Sequence, residues 1–179
     1  MFAAELELTR RTDLATAAPN GGVMDDLPVS PAISRAGPLD APAAGAIFER
    51  YFDAIGLPLA QRDGPAVLAS YLAPPGGLWL ALEHGRVVGT IALRPLAARP
   101  GACEIKRLYV EPDARGRGVA HRLLDALEDA ARAAGYVQAY LDTRADLTAA
   151  LAFYERRGYR ACDRYNDNPE ATHFLWREL

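Results

Sequence analysis

One stretch of the chain decides the fold: Cys103-Glu104-Ile105-Lys106-Arg107-Leu108-Tyr109-Val110, then Glu111-Pro112-Asp113-Ala114, then Arg115-Gly116-Arg117-Gly118-Val119-Ala120. In its first part, Leu108 and Val110 fall on the face opposite Tyr109, which is the two-residue period of a β-strand. Arg107 shares the face of Tyr109. Pro112 has no backbone N–H to donate to a neighbouring strand, so the strand should end before it. This part therefore predicts a central strand followed by a turn.

An amphipathic helix is predicted after the glycine-containing loop. Apolar residues recur there every three or four positions: Ala120, Leu123, Leu124, Leu127, Ala131 and Ala134. The other face is polar, with His121, Arg122, Asp125, Glu128, Asp129 and Arg132. This spacing predicts a helix with one buried stripe. Gly135 suits the left-handed conformation that commonly ends a helix.

The loop from Arg115 to Ala120 is a candidate anion site. The first turn of a helix has unpaired backbone N–H groups and the positive end of the helix dipole. Gly116 and Gly118 would let that backbone approach an anion closely, while Arg115 and Arg117 add positive charge. A phosphate or pyrophosphate fits such a site. The alternative is a strand-to-helix turn that needs glycine only for its shape.

Two motifs in this order resemble those of the GNAT family of N-acetyltransferases. Its acetyl-CoA loop reads Arg/Gln-x-x-Gly-x-Gly/Ala between a strand and a helix, and here the residues are Arg115-x-x-Gly118-x-Ala120. The second is Ala149-Ala150-Leu151-Ala152-Phe153-Tyr154-Glu155-Arg156-Arg157-Gly158-Tyr159. The loop lacks the third glycine of a dinucleotide fingerprint and the Gly-Lys-Ser/Thr of a P-loop. The resemblance covers about residues 33–179.

This resemblance implies that acetyl-CoA is a co-substrate and that an amine attacks it directly, without a covalent enzyme intermediate. The pantetheine arm of acetyl-CoA would pair with the backbone of Leu108, Tyr109 and Val110. The pyrophosphate would lie against the backbone of Arg115, Gly116, Arg117, Gly118, Val119 and Ala120. The resemblance implies no metal. The family often has an asparagine seven residues before the tyrosine of its second motif, and Leu147 stands there in this chain.

Two side chains are candidates for proton transfer. Tyr154 matches the family tyrosine that donates a proton to the sulfur of CoA, and a phenol with a pKa near 10 stays protonated at neutral pH. Alternatively, Tyr154 is a core aromatic beside Phe153. Glu104, on the central strand, could accept the amine proton directly or through a water molecule. It shares a strand face with Lys106, so the alternative there is an ordinary ion pair.

The acceptor site is expected in the loop between the last two strands, Tyr165-Asn166-Asp167-Asn168-Pro169. By the resemblance, this junction lies near the acceptor end of the CoA site. Tyr165 offers an aromatic wall and a hydroxyl group, and Asn166 offers both a donor and an acceptor. The alternative is a plain turn, in which Asn, Asp and Pro are common. In that case the acceptor site would lie between the first two helices, around residues 57–62.

The remaining elements follow from apolar spacing and turn residues. Helices are expected at 41–55, 63–72 and up to Arg157, the last capped by Asp146 or Thr148. Strands are expected at 33–35, 78–83, 87–93, 137–142, 159–163 and 173–176, with a hairpin turn at His84-Gly85. The predicted fold class is α/β, a mixed and mostly antiparallel central sheet with helices on both faces.

Composition and net charge limit the possible partners and location of the protein. The net charge of the 179-residue chain is −3, which does not suit a nucleic-acid partner. No apolar run approaches the length of a membrane span, and the N-terminus does not resemble a signal peptide. Only two cysteines are present, so a reduced, cytoplasmic location is expected. Lys106 is the only lysine among the 20 basic residues.

Two regions are predicted, an N-terminal extension at 1–32 and an N-acetyltransferase domain at 33–179. The extension could be a flexible tail, a cover over the domain, or an arm that reaches a second subunit of a homodimer. The sequence leaves this open.

The predicted function is transfer of an acetyl group from acetyl-CoA to a primary amine, with a small primary amine or an amino-acid-like compound as the first choice of acceptor. A protein amine is the runner-up. A non-catalytic acyl-CoA-binding module is a third hypothesis, against which Tyr154 and Glu104 argue.

Overall fold

The computed structural model describes residues 30–179. Most of the predicted extension, residues 1–29, therefore lies outside the described residues. The fold begins before residue 33, because the first strand, β1, is Ala32–Arg35. The carbonyl of Pro31 also accepts a hydrogen bond of 2.7 Å from Arg122.

Seven strands and four α-helices, with three short 3-10 helices, form the described chain. The further strands are β2 Gly77–Glu83, β3 Arg86–Pro95, β4 Ala102–Val110, β5 Gln138–Thr143, β6 Arg160–Ala161 and β7 His173–Glu178. The helices are α1 Ala41–Ala54, α2 Pro65–Leu72, α3 Val119–Ala133 and α4 Thr148–Arg156. Two expectations were wrong. The strand expected at 159–163 is only two residues long, and Leu147, with no side-chain cap, precedes α4. Asp146 instead pairs with Arg144.

The strands form one sheet in the order β1-β2-β3-β4-β5-β7-β6. All neighbours run antiparallel except β4 and β5, which are parallel. This confirms the predicted mixed, mostly antiparallel sheet. β4 and β5 pair only over Ala102–Glu104 and Gln138–Tyr140. Beyond these residues the two strands separate, which opens the middle of the sheet.

Helices cover both faces of the sheet. Leu123, Leu124 and Leu127 of α3 are fully buried against one face, together with the aromatic residues of α4. On the other face, α1 buries Ile47 and Phe52 in a second cluster. Burying each such side chain contributes about 1.5–3 kcal/mol, so both layers hold the sheet in place. The opening between β4 and β5 thus lies between two rigid layers.

A β-bulge in the middle of β4 shifts the alternation of its side chains between the two faces of the sheet. Thr90 and Ala92 of β3 face Tyr109 and Lys106, so β4 has one extra residue between these pairs. Arg107, at the bulge, has φ = 57°. A regular strand would alternate without interruption, but here Lys106 and Arg107 both project toward the face of α1. The alternation predicted from the sequence holds on each side of the bulge and shifts by one residue across it.

Contacts made by the Arg107 side chain compensate for this unfavourable backbone conformation. Its guanidinium makes two hydrogen bonds to Asp63, of 2.7 and 2.6 Å. It also lies 5.4 Å from the ring centre of Phe52 and 5.8 Å from that of Tyr51. A strained non-glycine residue persists only where its surroundings hold it, so the bulge is a fixed feature of the sheet.

Glu128 does not lie on the polar face of α3 where the sequence pattern put it. The residue is 2% exposed. Its carboxylate accepts a hydrogen bond of 2.8 Å from the hydroxyl of Tyr159 and pairs with Arg132, Arg157 and Arg177. These partners belong to α3, to the end of α4 and to β7. Glu128 therefore links three elements behind the sheet.

We expect Glu128→Ala to lower the free energy of unfolding by about 3 kcal/mol, because it removes the buried carboxylate that several cationic groups share. Asp129→Ala is the matched control. Asp129 is exposed and pairs with the same Arg132, so its loss should cost less than about 1 kcal/mol. Urea unfolding of both variants measures the difference. Equal, small effects would show that Glu128 is not a structural link.

Several other features bear on function. Both cysteines are free, and burial raises the pKa of the Cys103 thiol to about 12, so it is not a thiolate at neutral pH. Between residues 30 and 179, no helix is both long and apolar enough to cross a membrane. Within the same range, no group of three or more His, Cys, Asp or Glu residues could hold a metal ion.

Candidate active site

A cavity of about 540 Å³ opens where β4 and β5 separate. Its wall comes from α1 and the segment after it, the end of β3, the bulge of β4, the end of β5, helix α4 with the segment before it, and the loop between β6 and β7. Apolar and aromatic lining residues include Tyr51, Ile55, Leu57, Ile105, Leu108, Leu141, Leu147, Ala150 and Tyr154. Polar lining residues include Gln61, Arg94, Lys106, Arg107, Asp142, Arg144, Asn166, Asp167, Asn168 and Glu170.

A buried ion pair crosses the gap between the two strands. The Lys106 ammonium lies 2.5 Å from Asp142 on β5 and 3.2 Å from Glu104 on its own strand. The three side chains are 9%, 3% and 0% exposed, respectively. Such charges stay buried only when they are paired and hydrogen-bonded. The pair therefore fixes the spacing of β4 and β5 at the floor of the cavity.

The loop between β6 and β7 closes this network from above. The amide nitrogen of Asn166 donates to Glu104 at 2.9 Å and to Asp142 at 3.2 Å. The amide nitrogen of Asn168 donates to Asp142 at 2.7 Å. Burial acts to raise the pKa of Asp142, but Lys106 and the two asparagines outweigh it and lower this pKa. Asp142 is therefore a carboxylate at neutral pH.

We expect Asp142→Asn to lower the free energy of unfolding at pH 7 by about 3 kcal/mol, because it breaks a buried ion pair. A carboxylate whose pKa falls on folding stabilises the fold above its unfolded pKa near 3.9, and that stability is lost as the pH falls through the lower, folded pKa. The stabilities of wild type and variant should therefore converge in acid. Denaturant unfolding at several pH values tests this, and a constant difference at all pH values would contradict it.

Glu104 lies behind the cavity wall rather than in it. Its carboxylate accepts from Arg94 at 2.5 Å and from the Tyr165 hydroxyl at 3.2 Å, in addition to Lys106 and Asn166. Both oxygens are engaged. The ion pair with Lys106, which was the alternative reading of the sequence, is present. A role for Glu104 as a base requires a water molecule between it and the amine.

The two predicted acceptor residues have different positions. Asn166 lines the cavity, whereas the Tyr165 ring packs edge-on against Tyr140 and Phe174, with centroids 5.3 and 5.6 Å away. Within residues 30–179, Tyr165 contacts the network of the site through its hydrogen bond to Glu104. The aromatic wall of the cavity is instead Tyr51, which the sequence reading did not single out.

Tyr154 lines the cavity from α4 and is 5% exposed. Its ring packs edge-on between Phe153 and Tyr159. Burial raises the pKa of Tyr154 well above its usual value, so the phenol holds its proton at neutral pH. Tyr154 is thus both the core aromatic and the cavity-facing phenol that the sequence offered as alternatives.

The glycine loop has the geometry expected of an anion site. Gly118 precedes α3 with φ = 74°, a left-handed conformation that favours glycine. Across residues 30–179, the backbone N–H groups of residues 116–121 have no hydrogen-bond acceptor. The two arginines are less available than expected. Arg117 pairs with Glu83 at 2.7 Å, and Arg115 donates to the carbonyl of Val110.

The predicted cofactor residues therefore fall in two places, one on β4 and one in the loop that follows it. Leu108 lines the cavity, while the side chains of Tyr109 and Val110 pack into the two core clusters. The loop at 115–120 follows the end of the same strand and does not line the cavity. Beyond Glu104, β4 has no partner strand on the β5 side in the described chain. This unpaired backbone edge runs from the cavity toward the loop.

Comparison with known proteins identifies the family. The model of the acetyltransferase (GNAT) family matches residues 44–159. The chain belongs to the GNAT family of acetyltransferases. An uncharacterised N-acetyltransferase of Schizosaccharomyces pombe is 31% identical over 128 residues, which are 69% of this GNAT chain and 78% of the relative.

Solved GNAT structures have the same fold. A GNAT acetyltransferase of Staphylococcus aureus aligns with a TM-score of 0.71 at 22% identity, covering 83% of this chain and 99% of that one. The PaiA N-acetyltransferase of Thermoplasma acidophilum, solved in complex with coenzyme A, aligns with a TM-score of 0.65 at 13% identity. That alignment covers 83% of this chain and 99% of PaiA.

The sequence reading of this GNAT chain missed two charged residues of the site. Asp142 follows three buried residues of β5, and Arg94 follows seven buried residues of β3. The signal available in the sequence was a charged residue directly after a buried strand segment. Only the strand register shows that Asp142 and Arg94 belong to one network. Arg94 faces Glu104 in that register.

Proposed function

We propose that this GNAT enzyme transfers the acetyl group of acetyl-CoA to the primary amine of a small molecule by direct attack. The observation that carries the proposal is the cavity at the separation of β4 and β5, which holds a protonated phenol, Tyr154. The backbone edge of β4 that has no partner strand in the described chain leads from this cavity toward the amides at the start of α3. One substrate could therefore reach from an anion site to an acid.

The glycine loop suits the pyrophosphate of acetyl-CoA. Among the described residues, the N–H groups of residues 116–121 have no acceptor, and a Cβ added at Gly118 would have nothing within 4 Å. Such open, donor-rich backbone at a helix start binds phosphate groups. The coenzyme A bound by the similarly folded PaiA supports this assignment.

The reaction follows from the groups in the cavity. The neutral amine attacks the thioester carbonyl carbon, forming the N–C bond, and the C–S bond then breaks. Backbone N–H groups near the bulge of β4 would stabilise negative charge on the carbonyl oxygen. Tyr154 donates its proton to the departing sulfur. Before the attack, the acceptor ammonium would lose one proton through a bridging water molecule to Glu104, the proposed base. The second proton lost from the nitrogen after the attack would return the Tyr154 phenolate to its neutral form.

The acceptor is proposed to be small because the cavity is bounded on several sides. Several separate segments of the chain bound a volume of about 540 Å³, within the range of sites for small ligands. Asn166 and Asn168 would contact the acceptor from the loop between β6 and β7.

A screen of amines that reads the release of the CoA thiol tests the proposed function. The panel contains small primary amines, amino acids and short peptides with a free amine. Acetylation of small amines supports the proposal. Acetylation of peptides alone would favour a protein amine as acceptor. Tight acetyl-CoA binding with no turnover of any amine would favour a non-catalytic acyl-CoA-binding module.

A further inference from the structure

Arg94 is a cation of the cavity wall with unused hydrogen-bonding capacity. Its Nε donates to Glu104 at 2.5 Å. Its two terminal nitrogens have no hydrogen-bond acceptor among residues 30–179, and its side chain is 45% exposed. A guanidinium held at Nε presents its remaining N–H groups as a rigid fork that matches a carboxylate.

The other cations of the wall have their own partners. Arg107 makes a bidentate pair with Asp63. Arg144 makes two hydrogen bonds to Asp146 and one to the carbonyl of Ile55. The ammonium of Lys106 is shared between Asp142 and Glu104. Arg94 is therefore the wall cation best placed to bind an anionic group of the acceptor.

The loop between β6 and β7 provides the opposite charge. Asp167 and Glu170 line the cavity, and neither forms an ion pair within the described part of the chain. A primary amine with a pKa near 10 arrives as an ammonium ion at neutral pH, so these carboxylates would attract it. The cavity thus presents a cation on β3 and anions on the loop, which is the complement of a zwitterion.

We propose that the acceptor of this enzyme is an amine that also carries a carboxylate, which the terminal nitrogens of Arg94 bind. This inference rests on the proposed acetyl transfer and narrows its acceptor to amino acids and related compounds. Arg94 is a specificity residue in this scheme and takes no part in proton transfer. Its Nε contact with Glu104 fixes the orientation of the fork.

Matched pairs of acceptors test the inference: glycine and methylamine, β-alanine and ethylamine, phenylalanine and phenethylamine, lysine and cadaverine. In each pair the second amine lacks only the carboxylate. We expect the wild type to acetylate at least one amino acid with a kcat/KM about tenfold or more above that of its partner amine, since a charge-assisted bond is lost.

Arg94→Gln removes the charge and keeps an N–H donor for Glu104. It should lower kcat/KM for the amino acid about 10- to 100-fold, mainly through KM, and lower that of the matched amine less than about threefold. Arg86→Gln is the control, because Arg86 lies on the exposed hairpin and pairs with Asp113 away from the cavity. Arg86→Gln should leave kcat/KM unchanged for both the amino acid and the matched amine. Arg94→Lys, which keeps the charge without the fork, should show an intermediate loss.

The outcomes separate this inference from the proposed function. If amines without a carboxylate are preferred, or if Arg94→Gln lowers both rates equally, the inference is overturned and acetyl transfer stands. If acetyl-CoA binds and no compound of either set is acetylated, both are overturned. If Arg94→Gln does not fold, Arg94→Lys is the test. An unchanged ratio of kcat/KM between the amino acid and its matched amine in Arg94→Lys would contradict the role of the fork.

Discussion

Gly118→Asp should weaken the binding of acetyl-CoA by about a hundredfold or more while the domain stays folded. The variant places a negative charge at the start of α3, beside the N–H groups that are proposed to hold the pyrophosphate. Two like charges about 4 Å apart repel by several kcal/mol at a partly shielded protein surface. The new side chain would enter open space, because nothing lies within 4 Å of the added Cβ. Isothermal titration calorimetry measures the loss.

Gly118→Asn is the matched control for this variant. Asparagine has the same shape as aspartate and bears the same left-handed backbone cost of about 1–2 kcal/mol, without the charge. We expect it to bind acetyl-CoA much more tightly than the aspartate variant does. Thermal unfolding of both variants should be similar. Unchanged affinity in Gly118→Asp would overturn the assignment of the loop, and equal losses in both variants would point to the backbone shape alone.

Tyr154→Phe should lower kcat by about 10²- to 10⁴-fold, which is the usual contribution of a positioned general acid. The affinities for acetyl-CoA and for the acceptor should change little, because the ring and its packing against Phe153 and Tyr159 remain. Steady-state kinetics with an acceptor found in the amine screen measures the effect.

Tyr51→Phe is the matched control for the phenol, since Tyr51 lines the same cavity. Its variant should retain most of the activity. The pH profile gives a second check. Because burial raises the pKa of Tyr154, its phenol stays protonated beyond pH 10, and kcat should not fall through loss of this proton at lower pH. If Tyr51→Phe loses turnover and Tyr154→Phe does not, the acid has been assigned to the wrong tyrosine.

Local patterns were enough to predict most of the fold. The sequence from Cys103 to Gly135 predicts its strand, turn, loop and helix, because apolar period and turn residues act over short distances. The hairpin turn at His84 was likewise predictable from neighbouring turn residues. The two family motifs then implied the GNAT fold and a position for Tyr154 near the sulfur of CoA, which spacing alone could not have done.

Features that depend on distant partners could not be predicted. The spacing of α3 puts Glu128 on the polar face, but the hydroxyl of Tyr159 and three arginines make its burial favourable. Strict alternation along β4 gives no sign of the bulge at Arg107, whose backbone is held by Asp63 from another segment. Likewise, the network around Glu104 depends on strand register, so the sequence showed a candidate base where the structure shows a carboxylate with several donors.

The buried position of Lys106 limits the acetylation of the enzyme itself by acetyl-CoA, its proposed co-substrate. Acetyl thioesters react slowly with exposed lysine side chains without any catalyst, and lysine is a common target of acetylation. This chain has a single lysine, and its ammonium group is held between two carboxylates with 9% of the side chain exposed. The many surface cations are arginines, which stay protonated and are not acetylated in this way. The basic side chains of the enzyme thus compete little with the acceptor for the acetyl group.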